Sequence, residues 1–565
     1  MPARMRQVLP TTTKTYSTNT EVDFVIIGSG VAGGSVAREL TAAGFDVVIL
    51  EQGRDVPPED MEHDELGAFR WPRWTNDPAL SPQTYRKTPS DKAEKHMFAR
   101  YAKAVGGTTF HFTGNYWRFR PIDFHEFSKR GGVPGANLAD WPITYEELEP
   151  YYSAVEWAVG VSGETPTDPR EPMRSKPFPL PPLNVTGPGV LLEVGAKKLG
   201  WSSKAATMAI LSREYKGRQP CHNCGFCLGF PCEWGAKSGA NYTMIPEALK
   251  SGRCELRTHS YVRKIETDNT GKVTGVIYFD KDKKEVVQRA KAVVLSANGA
   301  ETPRLLLMSK SNRFPNGLAN SSGVVGKNFM FNGGASSDGE FEHEIEAHKG
   351  PVVTRITQEH YDIFEASGVH EATGLIGGGG FDMRISNPAL MRTMSMPADG
   401  PQWGAEFKKA MRTWFLNSVT AAGHTTQLPV ETNSISLDPE LKDAWGLPSI
   451  RVTFKEHEHD LKLYKYFQDR GVELLTAAGA TKIHSRPITD APSQTVHLLG
   501  TARMGNDPKT SVIDKYHRAH DVKNLFIVDG SSFVTSGRGQ PTMTIQALAF
   551  RAADHIAQFA KKREI

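Results

Sequence analysis

Residues 22–53 read VDFVIIGSGVAGGSVARELTAAGFDVVILEQG. The run Asp23–Ile27 is apolar and β-branched, which predicts a parallel strand buried on both faces. Gly28, Gly30 and Gly33 follow at GxGxxG spacing. Val31–Ala43 then has helical periodicity, Gly44 ends it, and Asp46–Leu50 reads as the next strand. In such a βαβ unit the first glycine allows a tight turn. The second lets the backbone approach a pyrophosphate, and the third lets helix and sheet pack closely. Glu51 ends the second strand, where a carboxylate can bond a ribose hydroxyl. A GxGxxG alone says little. With strand, helix, strand and acid all in place, the stretch predicts dinucleotide binding, against the alternative of a tight turn with no ligand.

Outward from this unit the chain is long enough, at 565 residues, for two or three cores. Its 39% hydrophobic and 23% charged content is that of an ordinary globular protein. A net charge of +4 is small for this mass and gives no reason to expect nucleic acid as a partner. No apolar run is long enough for a transmembrane helix. Residues 1–20 read as a polar leader without the apolar centre of a secretory signal. By its own sequence the chain is therefore expected in the cytoplasm.

Residues 54–100 are rich in Pro, Trp and charge, and are expected to form a covering loop. Residues 286–309 give another strand, a small-residue turn and a helix. Segment 331–493 changes character: a glycine run at Gly377–Gly380, frequent Met, and alternating stretches such as NSISL and SIRVTF. It predicts a substrate-facing domain built on an antiparallel sheet. Residues 494–565 return to a strand at Leu525–Val528, a Gly/Ser turn and a long helix. The expected fold is α/β: a nucleotide-binding domain of residues 21–330 completed by 494–565, with the substrate domain between. No second GxGxxG in βαβ context is present, which argues against a separate nicotinamide nucleotide site.

GSGVAGG, the GGTT segment after Val105, ANGAETPRLLL, HLLGTARMG and the block NLFIVDGSSFVTSGRGQPTMTIQALAFRAADHI, in this order, resemble the glucose-methanol-choline (GMC) oxidoreductases. The resemblance spans nearly the whole chain and is strongest to bacterial sugar and glucoside dehydrogenases and to pyranose oxidases. It implies FAD, a Rossmann-type FAD-binding domain, and oxidation of a hydroxyl of a sugar or glycoside by hydride transfer to flavin. Gly28, Gly30, Gly33, Glu51, Gly106, Gly107, Val262, Asp529 and Gly530 would line the FAD. His111, in AVGGTTFHFTGNYWRF, matches a histidine that some pyranose oxidases bond covalently to flavin; otherwise it packs beside the ring. Thr113 and Asn115 would neighbour the ring system.

Alcohol oxidation needs a base for the hydroxyl proton, and an imidazole suits that task near neutral pH. Among 18 histidines, His497 stands where the resemblance puts the catalytic one; its competing reading is a core histidine bonded to backbone. The family's second residue, usually His or Asn, maps onto Gln540. Glutamine keeps an amide able to donate to a developing alkoxide, but one methylene further out. Its competing role is packing at the Pro541 turn.

Four of the five cysteines fall in CHNCGFCLGFPC, residues 221–232. The spacing is near that of ferredoxin loops. Resemblance to dehydrogenases that carry a three-iron cluster favours Cys221, Cys227 and Cys232 as iron–sulfur ligands, with Cys224 extra. Zinc on four thiolates and loop-stapling disulfides stay open. A cluster would pass electrons to a partner, a cytochrome or quinone. Related dehydrogenases travel with a small subunit bearing an export signal, which would put the chain in the periplasm. An oxidase releasing hydrogen peroxide, and a non-redox lyase of the same family, are the alternatives. Cys254 reads as a small buried hydrophobe.

Overall fold

The computed structural model describes residues 14–67, 73–366, 368–385, 389–490 and 495–565. Most of the leader, residues 1–13, and residues 491–494 at the expected domain junction lie outside the described residues. The βαβ unit forms as its pattern demands: strand Val22–Ile27, helix Val31–Ala42, strand Val47–Leu50. Parallel strands run in the order Cys254–Arg257, Val47–Leu50, Val22–Ile27, Glu285–Leu295, Leu525–Ile527. The last comes from the C-terminal segment, so the end of the chain completes the sheet that its beginning nucleates.

Both faces of this sheet are covered, which is why its strands are continuously apolar. Phe24, Ile26, Val47, Ile49 and Val294 pack beneath the first helix and the C-terminal helix Thr542–Lys561. Their neighbours Val25, Ile27, Val48, Leu50 and Val293 enter a second cluster with Tyr145, Leu148 and Leu305. Each fully buried Val or Ile contributes about 1.5–3 kcal/mol. Strand Glu285–Leu295 serves two ladders. Its first half pairs antiparallel with Val273–Phe279, and from Ala290 onward it pairs parallel with the first strand.

The second sheet has six strands, in the order Lys482–Ser485, Gly333–Glu340, Ser418–Thr425, Gly379–Arg384, Arg355–Thr357, Lys204–Ala205, all antiparallel. Helix Glu458–Ala478 packs on one face, against Phe381, Met383 and Ala421. A third sheet pairs Ser434–Lys442 with Pro448–Thr453 antiparallel, so NSISL and SIRVTF form strands as their alternation predicts, in a sheet of their own and paired as a hairpin. It adds Gln83–Arg86 in parallel. The stretch read as a covering loop thus contributes a strand, and both smaller sheets recruit segments from before residue 331.

Gly28 turns the chain out of the first strand at φ +98°, and a Cβ there would lie 2.3 Å from the Ser296 carbonyl oxygen. Gly44, at φ +96°, has nothing within 4 Å of its Cβ position. We predict that Gly44→Ala costs only the left-handed backbone penalty, about 1–2 kcal/mol. Gly28→Ala loses more stability and also retained FAD. Thermal melts and flavin content of the two variants read the difference.

Candidate functional site

A cavity with about 1830 Å³ of empty space, its mouth included, opens at the carboxyl ends of the parallel strands, where open α/β sheets place ligands. The first helix points its N-terminus into it, through Gly30, Val31 and Ala32. No acidic residue sits in that first turn and no side chain caps it. Free N–H groups and the positive end of the helix dipole therefore face the cavity, which suits a pyrophosphate.

Three loops meet at this turn. Ser29 donates from N (3.0 Å) and Oγ (2.7 Å) to Glu51 Oε2, and Ser29 Oγ accepts from Gly106 N at 3.2 Å. Glu51 Oε1 accepts from Gly53 N at 2.8 Å. Burial pushes the Glu51 carboxyl pKa up, with the Ser29 and Gly53 bonds opposing the shift. Gly107, at φ +55°, lies so close to Gly30 that its Cβ would be 2.8 Å from Gly30 Cα. Gly28, Gly30, Glu51, Gly107, Val262, Asp529 and Gly530 line the cavity. Gly33 and Gly106 do not. Gly33 closes the helix onto the strand, a Cβ there falling 2.1 Å from Gly28 O, and Gly106 anchors Ser29. Asp529 accepts from Asn298 N (3.1 Å), Thr302 Oγ1 (2.6 Å) and Ser531 N (2.8 Å).

His111, Thr113 and Asn115 line the same cavity further along. Gln52 Oε1, His111 Nε2 and Asn115 Oδ1 are buried with no partner among the described residues. Buried polar atoms rarely stay unpaired, so these three atoms along a largely apolar wall fit a polar, ring-bearing cofactor. Burial, with the Lys237 charge adding, pulls the His111 pKa down to about 4.

His497 and Gln540 line this cavity too, although they come from different loops. The His497 segment is pinned by Leu499 pairing with Met330 and by Gly500 N donating to Gly530 O at 3.1 Å. The Gln540 loop is held by Arg538, fully buried, which donates to Asp123 Oδ1 (2.8 Å) and to Glu126 Oε2 (2.7 Å) and Oε1 (2.8 Å). Burial lowers the His497 pKa to about 4, and the nearby His424 and Arg384 add to the shift. The imidazole is neutral at physiological pH, as a proton acceptor must be.

His424, Asp382 and Arg384 were not singled out from the sequence. Strands Gly379–Arg384 and Ser418–Thr425 pair with Gly380 opposite His424 and Asp382 opposite Ala422. Asp382, Arg384 and His424 therefore share one face, while Phe381 and Met383 fill the core on the other. The signal was present in GGGGFDMRI: a strand whose alternation sets charged residues, rather than neutral polar ones, opposite its apolar face. Glu301 and Arg304, in ANGAETPRLLL, also border the cavity and were likewise missed. Arg304 pairs with Asp443 at 2.6 Å and Glu301 at 3.1 Å.

The iron–sulfur cluster expected at the cysteine loop finds no support among the described residues. Cys221, Cys224, Cys227 and Cys232 lie within electrostatic reach of one another around the buried Lys237. Lys237 Nζ donates to the carbonyls of Cys227 (2.9 Å) and Phe230 (2.7 Å). Yet among the described residues no three Cys, His, Asp or Glu are arranged to hold a metal ion, and all five cysteines are free thiols. The loop's tip still matters: Leu228 and Gly229 form part of the cavity wall.

Solved structures share this fold. Pyridoxine 4-oxidase from Mesorbium loti superposes with TM-score 0.62 at 16% identity, covering 95% of this chain and 99% of that one. An arginine-to-lysine variant of formate oxidase from Aspergillus oryzae RIB40 gives 0.62 at 16%, covering 97% and 100%. The chain is 37% identical over 554 residues to 2-methyl-1,2-propanediol dehydrogenase of Mycolicibacterium austroafricanum, covering 95% of each. It is 32% identical to the fructose dehydrogenase large subunit of Gluconobacter japonicus (96% and 98%), and 28% to the gluconate 2-dehydrogenase flavoprotein of Pantoea cypripedii (95% and 94%). The GMC oxidoreductase family matches residues 22–332 with its N-terminal part and 429–549 with its C-terminal part. The chain belongs to the GMC oxidoreductases, FAD-dependent enzymes that act on CH–OH groups.

Proposed function

We propose that this enzyme is a dehydrogenase that oxidises a hydroxyl of a sugar, glycoside or small polyol and hands the electrons to an acceptor other than oxygen. The observation that carries the reading is that His497, an imidazole that burial holds neutral, and the amide-bearing Gln540 are both brought to the dinucleotide cavity. The names of the relatives point the same way: a diol, fructose and gluconate all offer a hydroxyl beside another oxygen-bearing carbon.

The N-terminus of the first helix, beside the Gly30–Gly107 contact, would hold the cofactor's pyrophosphate, and Glu51 would bond a ribose hydroxyl. Bound FAD supplies the hydride acceptor. His497 receives the hydroxyl proton, a role worth about 10²–10⁴ in rate. Gln540 donates an amide N–H to the oxygen as it gains negative charge. Phe112, Val262 and Leu498 are among the apolar residues of the cavity lining. The cysteine loop, whose tip borders the cavity and whose Cys224 is exposed, is the face on which a partner that takes electrons directly from the flavin would dock.

Anaerobic flavin reduction by 2-methyl-1,2-propanediol, D-fructose or D-gluconate is the first test. Bleaching by at least one is expected; flavin that stays oxidised with all three while a carbon–carbon bond is cleaved would make this a lyase. His497→Ala should keep FAD and slow the reduction by about 10²–10⁴. The base must be unprotonated, so kcat/KM should rise with pH through about 4 and stay flat to neutrality. A rise centred near the ordinary histidine pKa, about 6.5, would contradict the buried, neutral His497. Reduced enzyme should reoxidise faster with a soluble quinone than with air. Rapid reoxidation by air with hydrogen peroxide release would make it an oxidase.

A further inference from the structure

Beside Gln540 lies a set of largely buried polar side chains to which the proposed chemistry gives no step. Gln540 Nε2 is 3.3 Å from His424 Nδ1. His424 Nε2 is 2.9 Å from Asp382 Oδ2. Asp382 is completely buried and is gripped through both carboxylate oxygens by Arg384 Nε and Nη2. The Trp117 ring stands edge-on to His424, centroids 5.7 Å apart at 89°, and closes the other side. Neither His424 nor Asp382 reaches the cavity wall.

We infer that Asp382 and His424 are positioning residues that set which way the Gln540 amide faces. The inference rests on the reading of Gln540 as donor to the substrate oxygen. An ionised carboxylate only accepts hydrogen bonds. Asp382, kept ionised by the guanidinium clasping it, therefore requires its contact with His424 to be an Nε2–H donation. Arg384 Nη2, which can only donate, also lies 2.6 Å from His424 Nε2; both nitrogens converge on Asp382 Oδ2, and we assign the Nε2 proton because that oxygen accepts from the two together. With the proton on Nε2, Nδ1 carries a lone pair and can only accept. It takes one N–H of the Gln540 amide. The other amide N–H is left for the cavity. Without this tie a glutamine, one methylene longer than asparagine, would turn its carbonyl as readily as its NH₂ toward the alkoxide, and the carbonyl would repel it. A buried acid two strands away thus does for glutamine what a shorter, stiffer side chain would do by itself.

A mutant cycle tests this, read as the anaerobic rate of flavin reduction by 2-methyl-1,2-propanediol or D-fructose, whichever reduces the wild type. Gln540→Ala should lose about 10²-fold, the scale of one lost donor to an oxyanion. His424→Gln keeps a donor for Asp382 but has no acceptor at the Nδ1 position, and should fall to within about threefold of Gln540→Ala by the same measure. The double variant H424Q/Q540A should be no slower than Q540A at neutral pH, where His497 is unprotonated and the inference has His424 act through the amide. His424→Asn puts an oxygen where Nδ1 stands and should restore most of the rate lost in H424Q. Losses that multiply in the double variant, or H424Q at the wild-type rate, would overturn the inference. If H424Q does not retain flavin, H424N decides: a rate near wild type supports the tie, and one as low as Q540A overturns it. If Q540A is as fast as wild type, Gln540 is not the donor, and that reading falls first.

Discussion

Everything at this site hangs on the close approach of two glycine segments around one serine. Gly107 touches Gly30 backbone to backbone, and Ser29 Oγ joins Glu51 to the amide of Gly106. These contacts fix the end of the first strand, the end of the second and the Gly106–Gly107 turn relative to one another. The result is a helix N-terminus with unspent N–H groups facing a deep cavity. A side chain on Gly107 would run into the Gly30 backbone, 2.8 Å from its Cα, and Gly107 also has positive φ, so the contact depends on glycine at that position. It also aims the rest of the Gly106–Asn115 segment, so that His111 and Asn115 fall further along the same wall.

The catalytic wall is built by convergence from far along the chain. Strand Leu525–Ile527 joins the parallel sheet, and Asp529, just beyond it, is bonded by Asn298, Thr302 and Ser531. Gly530 then receives Gly500, which brings His497 to the cavity. Arg538, buried among Asp123 and Glu126, locks the loop that ends at Gln540. Removing one partner from such a buried ion pair typically costs about 3–5 kcal/mol, so this loop is stiff. Stiffness matters because a donor misplaced by an ångström does little for an alkoxide.

How far the sequence alone could be read follows from how local each signal is. Gly28 to Glu51 was legible because strand, turn, helix and acid are written consecutively, and both-face burial follows from the apolar runs. The hairpin of Ser434–Lys442 and Pro448–Thr453 was legible for the same reason. His497 and Gln540 were found through resemblance, since nothing local marks one histidine among many. Asp382 and His424 were not found, because they meet only through the register of strands Gly379–Arg384 and Ser418–Thr425. Gln83–Arg86 was taken as loop because its parallel partner, Pro448–Thr453, lies far away in sequence. The cysteine spacing suggested a metal; what the structure adds is the buried Lys237 bonded to two carbonyls of that loop, which spacing does not reveal.

The central claim is that one FAD lies in this cavity with its ring beside His497. Titration of apo-protein with FAD, followed by the absorption and fluorescence of the flavin, tests it most directly. The account predicts saturation at one FAD per chain, with a bound spectrum that changes when His497 is replaced by Ala. A protein that takes up no flavin, or whose bound flavin is indifferent to residue 497, would contradict it.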